Sequence, residues 1–370
     1  MKIAYILPTR NRPLILLHTL AALGSLPRHN AQVVVIDNAS APPPAIPTRL
    51  SNGILVEVIR LRTNAGAAAR NAGVMVSDPG CEWVVMLDDD STPVGLGHLD
   101  ALASARNSVA VVAAEIWLSD ADGTRLQRES GGLPEVFIGC GVAIRREAFL
   151  EARGYDHTFG YYAEEYDLAA KLLRSGMRIA MDRRFQVAHR KVTCGRDMNL
   201  IVERLVRNNG WVTQRYAPGR RRLGELRHVL ERYGAITARQ HAQQGYRSGL
   251  NGLLQTIRGQ PRTPLSGKLW ARFTGAAAAR ASLERAWIKR GFRTAAIIDE
   301  GKNARVIRAA LRDLGVREIG DQRAAEALVI GTLSPGPMLD AWDTRRADPR
   351  CICPWDEIVD DPQRMPSVAA

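Results

Sequence analysis

The segment MLDDDS places Asp88, Asp89 and Asp90 directly after an apolar run, CEWVV. Alternate residues of an extended chain face the same side, so Asp88 and Asp90 are expected to converge. Two hard oxygen ligands at that spacing suit Mg2+ or Mn2+, which in turn holds phosphate oxygens. A lone D-x-D also reads as an acidic loop that caps the following helix. A second group of acids, Glu164, Glu165 and Asp167, lies in YYAEEYDLAAKLLRSG, where Leu168, Leu172 and Leu173 mark a helix. Helix N-termini attract acids through the macrodipole and their open N–H groups. A carboxylate there can also act as a base, and crowded carboxylates raise one another's pKa. His189 closes the run RFQVAH and is either a structural histidine or a further ligand.

The elements that would position these residues alternate between strand and helix. KIAYIL, AQVVVID, ILVEVIRL and CEWVVMLDDD read as strands, with helical stretches LILLHTLAAL and NAGAAARNAGVMVS between them. That alternation predicts an α/β fold with a mainly parallel sheet, whose ligands bind beyond the carboxyl ends of the strands. Thr9 and Arg10, Asp37, Asn64 and Asp88 to Asp90 stand at four such ends. LSDADGTRLQRESGGLPE reads as a surface loop or hairpin, and MRIAMDRRFQVAHRKV as a strand pair ending near His189. Four segments follow from the pattern: 1–197 with the acids, a basic helical segment over 198–291, a small Rossmann-like α/β domain over 292–358, and a tail over 359–370. The DEGKN loop of the small domain lacks the glycine fingerprint of dinucleotide sites.

Taken in order, ILPTRNRP, VVVIDNAS, NAGAAARNAG, VVMLDDDS, GCGVAIRREAF and YYAEEYDLAAKLLRSG resemble the family 2 glycosyltransferases of GT-A fold, over residues 1 to about 192. The resemblance implies an inverting, metal-dependent transfer of a sugar from a nucleotide-sugar, UDP- or dTDP-linked, to an acceptor hydroxyl. It implies donor contacts from Pro8, Thr9, Arg10, Arg12, Asp37, Asn64, Gly66, Arg70, Asp88, Asp89 and Gly139. It implies Mg2+ or Mn2+ held by Asp90 and Asp88, with His189 closing the site. Glu165 matches the family's base, usually an aspartate, with Glu164 as the alternative base and Asp167 as the later acid. Arg70 reads either as a diphosphate contact or as an ion pair ordering the acidic loop.

Composition bounds the rest. Of 370 residues, 46% are hydrophobic and 24% charged, as in ordinary globular proteins. Five scattered cysteines, none in a C-x-x-C pair, point to a reducing compartment, so a cytoplasmic location is expected. The net charge of +13 is concentrated between Arg204 and Arg293, where 19 Arg or Lys face three acids. Such a segment is either a solvated helical surface or a face for something anionic, including an acceptor or the inner face of a membrane. Few aromatics and no recognisable reading motif argue against nucleic acid. The acceptor class stays open among glycans, lipid-linked and small-molecule acceptors, and so does the oligomeric state. A non-catalytic nucleotide-sugar-binding or scaffold protein with a basic anion-binding segment is the alternative function.

Overall fold

The computed structural model describes residues 1–120, 124–190 and 197–360. Strands β1 (Ile3–Thr9), β2 (Ala31–Asp37), β3 (Leu55–Arg60) and β4 (Trp83–Met86) lie parallel in the order β3-β2-β1-β4. The Val- and Ile-rich runs of β1, β2 and β4 bury side chains on both faces, as central parallel strands do, while the edge strand β3 leaves Leu55, Glu57 and Arg60 exposed. Alternation sorts the two faces cleanly. Ala4, Ile6, Val34, Ile36, Val84 and Met86 join one core, while Tyr5, Leu7, Val33, Val35, Val85 and Leu87 join another. Helix α1 (Pro13–Gly24), started by a proline whose missing N–H costs nothing there, covers the second core with Leu16, Leu20 and Leu23. The first core is covered by α2 (Ala69–Val76).

Beyond β4 the sheet turns mixed. Among the described residues it gains β5 (Ser91–Pro93), β6 (Val109–Ser119), β7 (Arg125–Arg128), β8 (Val142–Arg145) and β9 (Arg178–His189), in the order β4-β8-β6-β9-β5 with β7 paired to β6. Helices α3 (Gly97–Ala103), α4 (Arg146–Glu151) and α5 (Glu164–Arg174) complete this half, α5 joining the first core. The expected strand pair ending at His189 is one strand. Its register against β6 jumps from Asp182 to Gln186, so the three residues between them bulge out and the strand continues. Of the expected loop or hairpin before Gly131, the described part pairs as β7, and residues 121–123 lie outside the described residues.

Helices α6 (Met198–Tyr216), α7 (Arg222–Gln240), α8 (Gln243–Thr256), α9 (Gly267–Phe273) and α10 (Ala276–Arg290) follow. Four of their arginines pair with acids of other segments: Arg215 with Asp156, Arg272 with Glu135, Arg280 with Asp313 and Arg285 with Asp356. No described helix is long and apolar enough to cross a membrane.

A second, four-stranded parallel sheet ends the described chain. It is built from β10 (Thr294–Ile298), β11 (Arg317–Glu318), β12 (Ala327–Ile330) and β13 (Cys351–Ile352) in the order β11-β10-β12-β13. Helices α11 (Ala304–Asp313), α12 (Pro335–Arg345) and α13 (Glu357–Asp360) accompany it. Residues 361–370 of the expected tail lie outside the described residues. This unit is bolted to the first half. The buried Arg128 guanidinium reaches Glu115 at 2.6 Å, Asp340 of α12 at 2.7 Å and Asp343 at 2.8 Å. Ser334 exchanges hydrogen bonds with the Gly131 backbone at 2.9 and 2.6 Å.

Candidate active site

The three aspartates do not continue the strand. Asp88 and Asp89 still alternate, Asp88 toward the α2 face and Asp89 toward the α1 face. The Ser91 N–H then donates to the Asp88 carbonyl at 3.1 Å, closing a turn. Asp88 and Asp90 are therefore brought to one cleft by a turn, not by strand alternation. Two arginines hold the three acids. Arg70, on α2, donates to Asp88 and to the Leu87 carbonyl and so orders the acidic loop. Arg12 grips Asp89 at 2.6 Å and Asp90 at 2.7 Å. The Thr9 hydroxyl donates to Asp89 at 2.8 Å, and the Arg190 N–H to the Asp90 carbonyl at 2.9 Å. Asp89 is 3% exposed beneath Arg12, so it positions the loop instead of meeting a ligand.

His189, the last residue of β9, stands 3.2 Å from Asp90 through Nε2 and 3.0 Å from Glu129 through Nδ1. Burial alone would lower its pKa; the Cys140 sulfur and the Asp90 and Glu129 carboxylates outweigh that and raise it well above the ordinary histidine value. The same contacts with His189 and Arg12 hold Asp90 low against its burial. A carboxylate on one imidazole nitrogen is the usual device for aiming the other at a metal. Donor atoms of Asp88, Cys140 and His189 lie within 4.8 Å of one another, with Asp90 beside them. The carboxylates and imidazole fit a hard or borderline divalent cation, whereas Cys140, a thiol whose pKa burial raises, does not add to that fit. Glu129 was missed by sequence reasoning, since it sits in a stretch read as surface; in the structure it is 5% exposed. The only signal for it is its place next to Arg128.

Opposite this loop, α5 begins. Tyr162 and Ala163 precede it with φ of 73° and 68°, the left-handed region that non-glycine residues rarely enter. The fully buried Asn208 of α6 holds them there, its amide lying 3.0, 2.9 and 2.8 Å from the Phe159, Tyr161 and Tyr162 carbonyls. Asn208→Ala removes the amide shared by those carbonyls and is expected to cost about 1–3 kcal/mol of stability. Because the freed segment carries Glu164 and Glu165, any turnover at this cleft is expected to fall as well. Thermal unfolding together with a turnover assay checks both.

The three acids of α5 separate. Asp167 is fully buried and takes Arg215 at 2.8 Å, Lys171 at 2.7 Å and the Tyr216 hydroxyl at 2.7 Å. The expectation of a catalytic Asp167 is thus corrected: it ties α5 to α6 and lines no cleft. Glu164 and Glu165 both face the cleft. Burial, then the neighbouring Glu165, pushes Glu164 well above the usual carboxylate range, and its Oε2 has no hydrogen-bond partner among the described residues. Glu165 is raised by burial too, but the Gly139 N–H and Arg70 oppose this. A Cβ on Gly139 would come within 3.2 Å of Glu165 Oε1, so glycine there keeps the carboxylate's seat open.

An acid whose folded pKa lies above its unfolded value destabilises the fold as pH rises through that window. Glu164→Gln removes that cost. Its melting temperature is expected to exceed wild type at about pH 8 and to approach it at about pH 4, where the unfolded carboxyl is itself largely protonated. Scanning calorimetry at the two pH values decides it.

The cleft, an open space of about 2260 Å³, is lined by Arg12, Arg70, Asp88, Asp90, Gly139, Glu164, Glu165 and His189 among the expected residues. Pro8, Thr9, Arg10, Asp37, Asn64 and Gly66 stand on the same strand-end rim but do not line it. Asp37 is 2% exposed and accepts from the Ser40 N–H at 2.9 Å, while Asn64 accepts from the Gly66 N–H at 2.9 Å.

Residues 5–129 match the family model described as Glycosyl transferase family 2. A search of curated proteins found no match. Solved structures similar to this chain include GalNAc-T7 with UDP, GalNAc and Mn2+, at 18% identity and TM-score 0.46, covering 59% of this chain and 48% of that one. S. aureus TarS 1-349 with UDP-GlcNAc is similar at 15% identity and TM-score 0.48, covering 85% and 93%. The mannosyltransferase PcManGT from Pyrobaculum calidifontis with GDP-Man and Mn2+ is similar at 17% identity and TM-score 0.44, covering 85% and 87%. The chain thus spans about half the length of the GalNAc-T7 chain.

Proposed function

We propose, from the match of residues 5–129 to the glycosyl transferase family 2 model, that this chain transfers a sugar from a nucleotide-sugar to an acceptor hydroxyl with inversion. The observation that carries the reading is one cleft with two chemically different walls. One wall is the Asp88–Asp90 loop with His189, and the other is the Glu164–Glu165 pair. UDP- and dTDP-sugars are the favoured donors, and the UDP-GlcNAc and GDP-Man in similar structures make both bases worth testing.

Asp88, Asp90 and His189 would hold Mg2+ or Mn2+, with Glu129 aiming the histidine. When bound, the ion neutralises charge on the departing nucleoside diphosphate. The chain's own residues do the rest. Arg12 and Arg70 keep the acidic loop in place. Glu164, more deeply buried and without a partner for Oε2, keeps the proton that the pair shares. Glu165 stays ionised and takes the proton from the acceptor hydroxyl as that oxygen attacks the anomeric carbon. The leaving diphosphate departs from the opposite face, so configuration inverts in a single displacement.

The test is a panel of UDP-, dTDP- and GDP-sugars with Mg2+ or Mn2+, read as donor hydrolysis and as calorimetric binding. Metal-dependent hydrolysis of one donor class is the expected result. Nucleotide binding without turnover on any donor would favour the non-catalytic reading, and no nucleotide binding at all would overturn both.

A further inference from the structure

The cleft has a third wall, and it belongs to the C-terminal α/β unit. There β10 leads through α11 to β11 on one side, and β12 leads through α12 to β13 on the other. The strand order therefore reverses between β10 and β12, and at such a switch the loops leaving the strand ends diverge and open a crevice. Asp299, Glu300, Gly301 and Lys302 after β10, and Thr332 and Ser334 after β12, line the same cleft as Glu165. The loops are fastened together. The Gly301 N–H donates to the Gly331 carbonyl at 2.9 Å, and the Leu333 N–H to the Lys302 carbonyl at 2.9 Å. Lys302 thus stands on a fixed backbone.

The charges on the cleft walls mostly cancel in pairs. Glu300 is taken by Arg308 at 2.7 Å and Asp299 by Arg345 at 3.3 Å. Asp88 has Arg70, Asp90 has Arg12 and His189, and Glu129 has His189. Among the described residues, the lining cations left without a carboxylate partner are Lys302 and Arg232 of α7. Lys302 donates to the Tyr166 hydroxyl and lies 4.8 Å from its ring centroid, and Arg232 lies 5.6 Å from that of Tyr233. Burial and the nearby Arg232 charge both work against the Lys302 charge, with only Glu165 opposing them. Two basic side chains without a carboxylate partner, Arg232 on α7 and Lys302 on the C-terminal unit, are what a bound anion would relieve. Tyr166 directly follows Glu165, so a ligand anchored by its anion at Lys302 extends toward the base.

Resting on the glycosyltransferase reading above, we propose that Lys302 and Arg232 form an acceptor subsite for a phosphate or carboxylate group. The acceptor is then a polyol or sugar whose reactive hydroxyl is carried on the same molecule as that anion. The C-terminal unit, on this account, selects the acceptor.

The test uses the full chain with Mn2+ and saturating UDP, so that the donor side is occupied. Glycerol phosphate, glycerate, inorganic phosphate and glycerol are titrated in turn by calorimetry. Glycerol phosphate or glycerate is expected to bind about tenfold or more tightly than glycerol and more tightly than inorganic phosphate. Lys302→Gln and Arg232→Gln are each expected to remove about tenfold of that preference, Lys302→Arg to retain most of it, and UDP affinity to stay unchanged in all three. Unchanged preference in both glutamine variants, no preference over glycerol, or displacement of the anion by UDP would overturn the subsite. Inorganic phosphate binding as tightly as glycerol phosphate would also overturn it, assigning the cations to free phosphate. Failure of the wild-type chain to bind UDP, dTDP or GDP would instead bring down the glycosyltransferase reading, and the subsite with it.

Discussion

Glutamine in place of Glu165 is expected to cut sugar transfer by about 10²- to 10⁴-fold while the protein keeps its fold and its affinity for the nucleotide. The substitution preserves shape and the contact with the Gly139 N–H, but the amide cannot accept the acceptor's proton. Glu165 is half-buried at the mouth of α5, so the loss is one of chemistry and not of packing. The wild-type pH profile carries a second signature. Glu165 is held above the ordinary carboxylate value, so the rate should climb through a pKa higher than about 4.3 as the base loses its proton. Glu165→Asp should recover part of the activity, limited by a carboxylate that falls short by one methylene. A dead Glu164→Gln beside a working Glu165→Gln would move the base to Glu164. Near-normal turnover in both would remove this pair from the chemistry.

Asparagine at position 90 carries the second large effect. Asp90 is 4% exposed and joins three roles, meeting Arg12, facing His189 and accepting the Arg190 N–H at its carbonyl. Asp90→Asn keeps the volume and removes the charge, and Arg12 retains Asp89, so the fold should survive. Mn2+ affinity measured in the presence of UDP is expected to fall by about 10- to 100-fold, and transfer by about 10²- to 10³-fold. Electron paramagnetic resonance of free Mn2+ reads the first quantity independently of turnover. Unchanged Mn2+ affinity would show that Asp90 only organises the loop. Glu129→Gln is the natural companion, because Glu129 holds the His189 ring at Nδ1.

Several features of the site were legible along the chain because they depend on contiguous residues. Strand and helix periods are local, so the α/β alternation and the strand-end position of the acids could be read directly. The Glu164–Glu165 pair at a helix start, and the two glycines around Cys140, were equally local. Where local pattern was carried one residue too far, it failed. β4 ends at Met86, so the period-two facing of side chains had no warrant at Asp90, and the turn closed by Ser91 decided its direction. Asp167 looked like a third member of the acid cluster because sequence distance is short. Its helical phase instead points it at Arg215 and Tyr216, across the α5–α6 contact.

By itself, then, the sequence determined the architecture of the first half, the acidic loop and the pair of candidate bases, all set by backbone periodicity and neighbouring side chains. Tertiary structure alone decided which partners those acids face. Glu129 reaches His189 across 60 positions, and Lys302 reaches Tyr166 across 136. Such pairings depend on sheet register and on how α12 docks against β7, where Arg128 is clamped by Asp340 and Asp343. No local period encodes them. The burial that raises Glu164 and Glu165, and the meeting of Lys302 and Arg232 with them in one cleft, likewise exist only in the folded chain.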